Sequence, residues 1–360
     1  MPENHTTQNR KADHLRIVAN ENVAHKTKTT LLEDMELVYQ TLPGLNKKDI
    51  RLKTQFLGHS FSAPLMVSGM TGGTPEAEKV NRDIARAVQA TGLGMGIGSQ
   101  RAMLENPSLA KTYSVRDVAP NIFVAGNMGV AQLEEYPIQQ IEGMLDNIGA
   151  NALAVHLNAA QESVQPEGDT DLKESVSLLK RVSRQLSKPV YVKEVGHGIS
   201  FEVARQLDKT GVKALDVQGA GGTSWVGIES HRGNRALGNT FWDIGIPTAA
   251  SILECKSASA KPILASGGIS NGLDAAKGIA LGASLAVMAR PIFLAQQQDG
   301  AMGVQRALEQ VMEEFRNAMF LVGAKDVKAL QQTPYVLQGN LYAWVEQRKK
   351  LWKPNPSMKR

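Results

Sequence analysis

Ala152-Leu153-Ala154-Val155-His156-Leu157-Asn158-Ala159-Ala160-Gln161-Glu162 passes from four apolar residues straight into an imidazole, two carboxamides and a carboxylate. It then opens into the polar loop Val164-Gln165-Pro166-Glu167-Gly168-Asp169. A short apolar run that ends in clustered polar groups reads as a buried parallel strand whose C-terminal end faces a ligand. The group types suit an anionic ligand and a hard cation.

Outward from this stretch the same pattern repeats. Apolar runs at 64–67, 93–97, 122–125, 152–155, 190–192, 214–217, 263–265 and 285–288 alternate with amphipathic segments such as 76–90, 172–186, 201–210 and 273–281. Strand and helix in regular alternation predict parallel βα units, and the count and even spacing favour a closed (β/α)8 barrel over a doubly wound sheet. At 360 residues the chain accommodates one barrel of roughly 250 residues plus additions at its ends. The expected division is an N-terminal extension over 1–60 that covers the barrel's bottom or reaches its mouth, a barrel over 61–345 and a basic tail over 346–360. Two stretches exceed a minimal unit: 165–171 after the fourth strand and 227–251 after the sixth, both expected as long loops.

Composition sets the outer limits. The 40 basic residues are offset by 35 acidic ones spread along the chain, leaving a net charge of +5, and no basic cluster is interleaved with aromatics. That balance argues against nucleic acid and suits a small phosphorylated substrate. Cys255 is the only cysteine, which excludes an internal disulfide and a CxxC redox pair and fits a reducing cytoplasm. Residues 1–28 lack the apolar core of a secretory signal, and no stretch is apolar enough to predict a membrane span. No internal repeat is present.

Polar or glycine signals recur just beyond each strand: Met70-Thr71-Gly72-Gly73, Gly98-Ser99-Gln100-Arg101, Gly126-Asn127, His156 to Glu162, Lys193, Gly219 to Thr223, Gly267-Gly268 and Ala289-Arg290. Each is weak alone, since glycine pairs usually mark turns, but a barrel gathers that register around one pocket. The glycines after the seventh strand and Arg290 after the eighth lie where barrels build phosphate sites. Lys193 ends a strand and either pairs with Glu194 or holds negative charge on a ring such as a reduced flavin. Ser99 and Asn127 either cap helices or bond the edge of that ring. Glu162 is a candidate Mg2+ ligand, because one carboxylate plus ligand phosphates is how that ion is typically held. His156 and Asn158 share one face of an extended chain. Arg10, Lys11 and His14 place three phosphate-compatible donors close together.

Taken together, Arg10-Lys11-x-x-His14-Leu15, Gly69 to Gly73, Gly98 to Arg101, His156 to Glu162 with Gln165 to Asp169, Val192 to Gly196 and Gly221-Gly222-Thr223-Ser224-Trp225 resemble the type 2 isopentenyl-diphosphate isomerases. The resemblance runs from about Arg10 to beyond Arg290. It implies an FMN-dependent TIM barrel that interconverts isopentenyl and dimethylallyl diphosphate on reduced flavin with Mg2+, with NADPH as reductant and no net redox change. A homo-oligomer, tetramer or octamer, is implied too. Carried over by position, flavin contacts fall on Met70, Thr71, Gly72, Ser99, Asn127, Lys193, Thr223, Gly267, Gly268, Ala289 and Arg290. The diphosphate falls to Arg10, Lys11, His14, Ser99, Arg101, His156 and Asn158, with Gln161 near the allylic carbons, Trp225 beside the flavin and Glu162 on the metal. The stretch Asp243-Ile244-Gly245 departs from the family pattern, which often has Trp in place of Ile244; here Trp242 precedes the aspartate.

The proton shift needs an acid and a base, and no side chain in the cluster is an obvious strong acid, so Gln161 and Lys193 are expected to assist a proton carried by reduced flavin. The competing expectation is an FMN-dependent 2-hydroxy-acid oxidase or dehydrogenase of the same fold, with His156 as base. A nucleotide dehydrogenase would need a nucleophilic cysteine, and Cys255 is expected in an outer helix. A non-catalytic binder of prenyl phosphates or flavin is a third possibility, which the Gln161-Glu162 cluster argues against.

Overall fold

The structure is a computed structural model and describes residues 7–350 and 352. Eight parallel strands close into a barrel: β1 (Leu65–Val67), β2 (Gly94–Gly96), β3 (Phe123–Gly129), β4 (Ala152–His156), β5 (Val190–Lys193), β6 (Leu215–Asp216), β7 (Ile263–Ser266) and β8 (Leu285–Met288). Neighbours in sequence are neighbours in space, and β8 closes on β1 through Met288 beside Val67. All eight predicted strands are present. β3 runs four residues further than its apolar run because Gly126, Asn127 and Gly129 continue the ladder against β4.

The strand period of two divides the apolar residues into two layers. Val124, Leu153, Val155, Val190, Val192, Leu215 and Ile263 face the outer helices, while Met66, Phe123, Ala125, Ala154, Tyr191, Leu264 and Val287 fill the barrel. Small alanines opposite large aromatics let that interior close. The bottom is stoppered by a hairpin, Thr54–Phe56 with His59–Phe61, whose turn places Leu57 and Gly58 at positive φ. Phe56 stacks edge-on to Phe123 at 5.7 Å and to Tyr191 at 6.1 Å. The bottom is therefore sealed, and open space lies at the other end.

The outer helices begin where polar side chains can satisfy free N–H groups. Thr74 caps Pro75–Thr91, Ser200 caps Phe201–Asp208 and Asn271 caps Gly272–Ala280. Residues 227–251, expected as a loop, instead fall largely into the helices Trp225–Arg232 and Arg235–Phe241 and the start of Thr248–Ala258. Ser224 and Asn234 cap the first two, but Gly227, Gly233 and Gly238 hide their period in the sequence. Cys255 lies in the third, fully buried, and burial pushes its thiol up, so it is no nucleophile.

The segment before β1 serves both ends of the barrel. While its hairpin plugs the bottom, its first helix, Thr7–Asn20, crosses the mouth. Between them Met35–Leu37 pairs antiparallel with Tyr335–Leu337 near the other end of the chain. Among the described residues no helix is long and apolar enough to cross a membrane. The basic tail expected over 346–360 lies outside the described residues at 351 and from 353 onward.

Candidate active site

A cavity of about 600 Å³ opens at the C-terminal ends of the strands, within the usual range for small-molecule sites. On one wall the turns after β7 and β8 form a cradle. Gly267 and Gly268 have φ of 93° and 73°, and a Cβ on Gly268 would strike Thr30 and Gly222. Only glycine brings the backbone this close to a ligand. Arg290 faces the cavity with its buried Nε lacking a protein partner. A bare backbone cradle beside an orphaned guanidinium nitrogen fits a phosphate, as an FMN phosphate would require. Met70, Thr71, Ser99, Asn127, Thr223 and Ala289 also line the cavity.

Lys193 forms the floor, 6% exposed at the end of β5. Its Nζ donates to the Glu194 carbonyl at 2.8 Å. The Glu194 carboxylate is occupied elsewhere, accepting from the backbone N–H of Val195, Gly196 and His197 at 2.6, 2.7 and 2.5 Å. Of the two readings of Lys193, side-chain pairing with Glu194 is therefore absent. Burial lowers its basicity, while Asp216 and Glu194 oppose that shift.

The helix Thr7–Asn20 brings Arg10, Lys11 and His14 to the cavity, the first two each about one turn before the histidine. Lys11 donates to the Ser99 carbonyl and, at 2.6 Å, to the Tyr113 hydroxyl. Burial, reinforced by Arg10, lowers its pKa to about 7. Arg10 lies 3.7 Å from Glu167, and Arg101 lies at the rim, held by Glu105 at 2.9 Å. His156, at the end of β4, shares a hydrogen bond of 2.8 Å with Asn127 Oδ1. Burial and nearby Lys193 depress His156 to about 3, so it is neutral.

Gln161 and Glu162 sit on the single helical turn Ala159–Glu162 that follows β4. Asn158 Nδ2 donates to Gln161 Oε1 at 3.2 Å and to Glu162 Oε1 at 2.7 Å. Glu162 Oε2 accepts from the Asp169 N–H at 2.8 Å and from Gln165 at 3.3 Å. Gln161 in turn donates to Glu229 at 3.0 Å. Among the described residues no group of three His, Cys, Asp or Glu is arranged to hold a metal. A Mg2+ ion would fit Glu162 only with ligand phosphates completing its shell.

Glu229 is fully buried between His14 Nε2 at 2.8 Å, Gln161 and Arg232 Nη1 at 2.6 Å. Burial alone would push its carboxyl up, but His14, Arg232 and Gln161 outweigh that and hold it at about 2. It therefore joins the N-terminal helix, the β4 cluster and the helix Trp225–Arg232 in one charged network.

Two kinds of relative share this architecture. The model of the family described as FMN-dependent dehydrogenase matches residues 4–111 and 153–337. The isopentenyl-diphosphate delta-isomerase of Halobacterium salinarum is 46% identical, spanning 95% of this chain and 97% of its own length. That of Methanosarcina mazei is 43% identical over 95% of each chain. This chain belongs to the FMN-dependent isopentenyl-diphosphate delta-isomerase family. Among solved structures, a mandelate oxidase aligns with TM-score 0.64 at 18% identity, covering 93% of this chain and all of its own, and a lactate oxidase of Pediococcus acidilactici with 0.66 at 17%, covering 92% and 94%. At such identity those two share the fold alone.

Against the isomerase-family reading, every carried-over position lines the cavity except Gly72. Gly72 lies behind the wall, where a Cβ would overlap the Tyr113 ring; its smallness serves packing. Glu229 and Tyr113 were not singled out in the sequence. A signal for Glu229 existed in its place four residues after Trp225, one turn along the same face, but it lay in the stretch read as loop. At the departure from the family pattern, Trp242 takes over loop packing: its Nε1 donates to the Ala24 carbonyl at 2.9 Å and Lys26 lies 4.0 Å above its ring, while Ile244 is 48% exposed.

Proposed function

We propose that this protein interconverts isopentenyl and dimethylallyl diphosphate on reduced FMN with Mg2+. The observation that carries the reading is one cavity with two anion-compatible walls, the Gly267-Gly268-Arg290 cradle and the Arg10-Lys11-His14 helix, separated by Lys193 and the Gln161-Glu162 cluster. The first wall suits the flavin phosphate, the second the substrate diphosphate.

Reduced FMN, when bound, would supply at N5 an acid–base group able to give a proton to the terminal alkene carbon and to take a different proton from the allylic carbon. Lys193 places positive charge at the floor, where negative charge on the ring system is stabilised. Gln161, fixed by Asn158 and Glu229, orients the allylic carbons. Glu162 holds Mg2+ against the diphosphate, and the Thr7–Asn20 helix excludes water from a cationic transition state. NADPH as reductant, a cytoplasmic setting and a homo-oligomer, tetramer or octamer, belong to the same proposal, as does the division into residues 1–60, 61–345 and 346–360. Exposed Tyr39, Leu42 and Val336 beside the Met35–Leu37 pairing support self-association.

The test is anaerobic incubation with FMN, Mg2+, dithionite and isopentenyl diphosphate, followed by product analysis. Dimethylallyl diphosphate should accumulate without consumption of reductant. Lys193→Ala and Gln161→Ala should each lower kcat by about a hundredfold. Wild-type turnover in both variants, or stoichiometric oxidation of a 2-hydroxy acid, would overturn the reading. The oxidase alternative needs a basic histidine, and a residue held near 3 is a poor base at neutral pH.

A further inference from the structure

Beneath the cavity floor lies a carboxylate to which nothing above assigns a role. Asp216 ends β6, is 2% exposed, and stands directly beside Lys193 in the β5–β6 register. Paired residues of adjacent parallel strands project from the same face, so both side chains enter the barrel interior. The Asp216 carboxylate accepts from Ser266 Oγ and, at 3.2 Å, from Gln218 Nε2, which also donates to Ser68 Oγ at 3.2 Å. Burial pushes the Asp216 carboxyl up, Lys193 and these bonds oppose that shift, and the bonds fix its orientation without supplying a counter-charge. Among the described residues no cation lies within salt-bridge distance of it. A buried carboxylate without a counter-charge is costly, and Lys193 is the cation facing it.

The same argument holds from the lysine's side. An ammonium this deeply buried tends to lose its proton unless a negative group faces it. Of the charged or titratable groups around it, His156 on β4 is neutral, the Glu194 carboxylate is bound by three backbone N–H groups, and Tyr191 below is pushed up by burial and Asp216. Asp216 is what remains.

We propose that Asp216 is a positioning residue that keeps Lys193 an ammonium aimed at the flavin site, so that the cation is present when reduced flavin sheds its N1 proton. The proposal rests on the FMN reading above. Asp216 touches neither flavin nor substrate and acts only through Lys193.

The competing electrostatic effects have opposite signs. With Lys193 still charged, removing the Asp216 carboxylate would favour the anionic flavin, and the pH of the neutral-to-anionic transition would fall. With Lys193 discharged by that removal, the transition rises. The experiment follows the absorbance of bound, dithionite-reduced FMN against pH in the wild-type holoenzyme and in Asp216→Asn. The expected result is a transition about one pH unit higher in the variant, with FMN still bound and kcat lowered about tenfold at neutral pH. In the Lys193→Gln background, Asp216→Asn should no longer raise it. A downward or absent shift in loaded Asp216→Asn overturns the proposal, leaving Asp216 structural. Should that variant not fold, Ser266→Ala, which removes one of the two bonds to the carboxylate, should produce a smaller upward shift, and its absence is equally fatal. Failure of the wild type to take up FMN defeats the cofactor reading, and this proposal with it. Wild-type isomerisation with an unmoved transition in the variants defeats the Asp216 role alone.

Discussion

Two side chains at the mouth have ionisations that pull in opposite directions. Lys11, with a pKa of about 7, carries its charge below that value and loses it above. In the free enzyme its attraction for a diphosphate therefore weakens as pH rises through 7. KM for isopentenyl diphosphate should climb between pH 7 and 9 with kcat changing less, and Lys11→Arg, whose guanidinium stays charged, should flatten that rise. A pH-independent KM in the wild type would refute it. Glu229 behaves conversely. Its folded pKa of about 2 lies below the usual ~4.3, so the stability it contributes is whole above ~4.3 and is lost as pH falls towards 2. Glu229→Gln should strip Arg232 of its buried counter-charge, leaving only the more exposed Glu167 and Asp13, cost about 3 kcal/mol in denaturant unfolding at pH 7, and flatten the acid limb. Through Gln161 it should also lower kcat by about tenfold. Unchanged stability would show that the network contributes little.

At the scale of elements, the N-terminal helix is separable from the barrel. Its apolar side, Leu15, Ile17, Val18 and Ala19, packs onto the barrel's edge, while the bonds it makes at the cavity rim are polar. Deleting residues 1–20 should leave a cooperative, FMN-binding barrel, while KM rises by about a hundredfold or more, because each lost charge-assisted bond is worth about 1.5–3 kcal/mol. Retention of wild-type KM would place diphosphate recognition elsewhere. What the sequence disclosed about the elements follows the same physics. The eight strands were legible because strands buried on both faces are continuous apolar runs. The two helices between Trp225 and Phe241 were not, since Gly227, Gly233 and Gly238 erase the period on which recognition depends. Glu229 was hidden with them. Asp216 was overlooked because it interrupts the apolar run 214–217, and nothing local distinguishes a buried carboxylate from an exposed one before β5 is placed beside it. Gly72 was legible as glycine, but its packing against Tyr113, 41 positions downstream, was not.

On the scale of the whole molecule, the antiparallel pairing of Met35–Leu37 with Tyr335–Leu337 joins segments some 300 residues apart. A chain emerging from the ribosome can assemble its strands in sequential order, yet residues 35–37 must wait for some 300 further residues before their partner arrives. Until then the arm is held by earlier partners, such as Gly222 on His25 and Lys277 on the Leu32 carbonyl, while residues 35–37 stay unpaired. Closure of this clasp thus comes long after the mouth's own partners exist, and a product cut short before residue 335 would have a finished barrel and mouth with one strand left open to another chain.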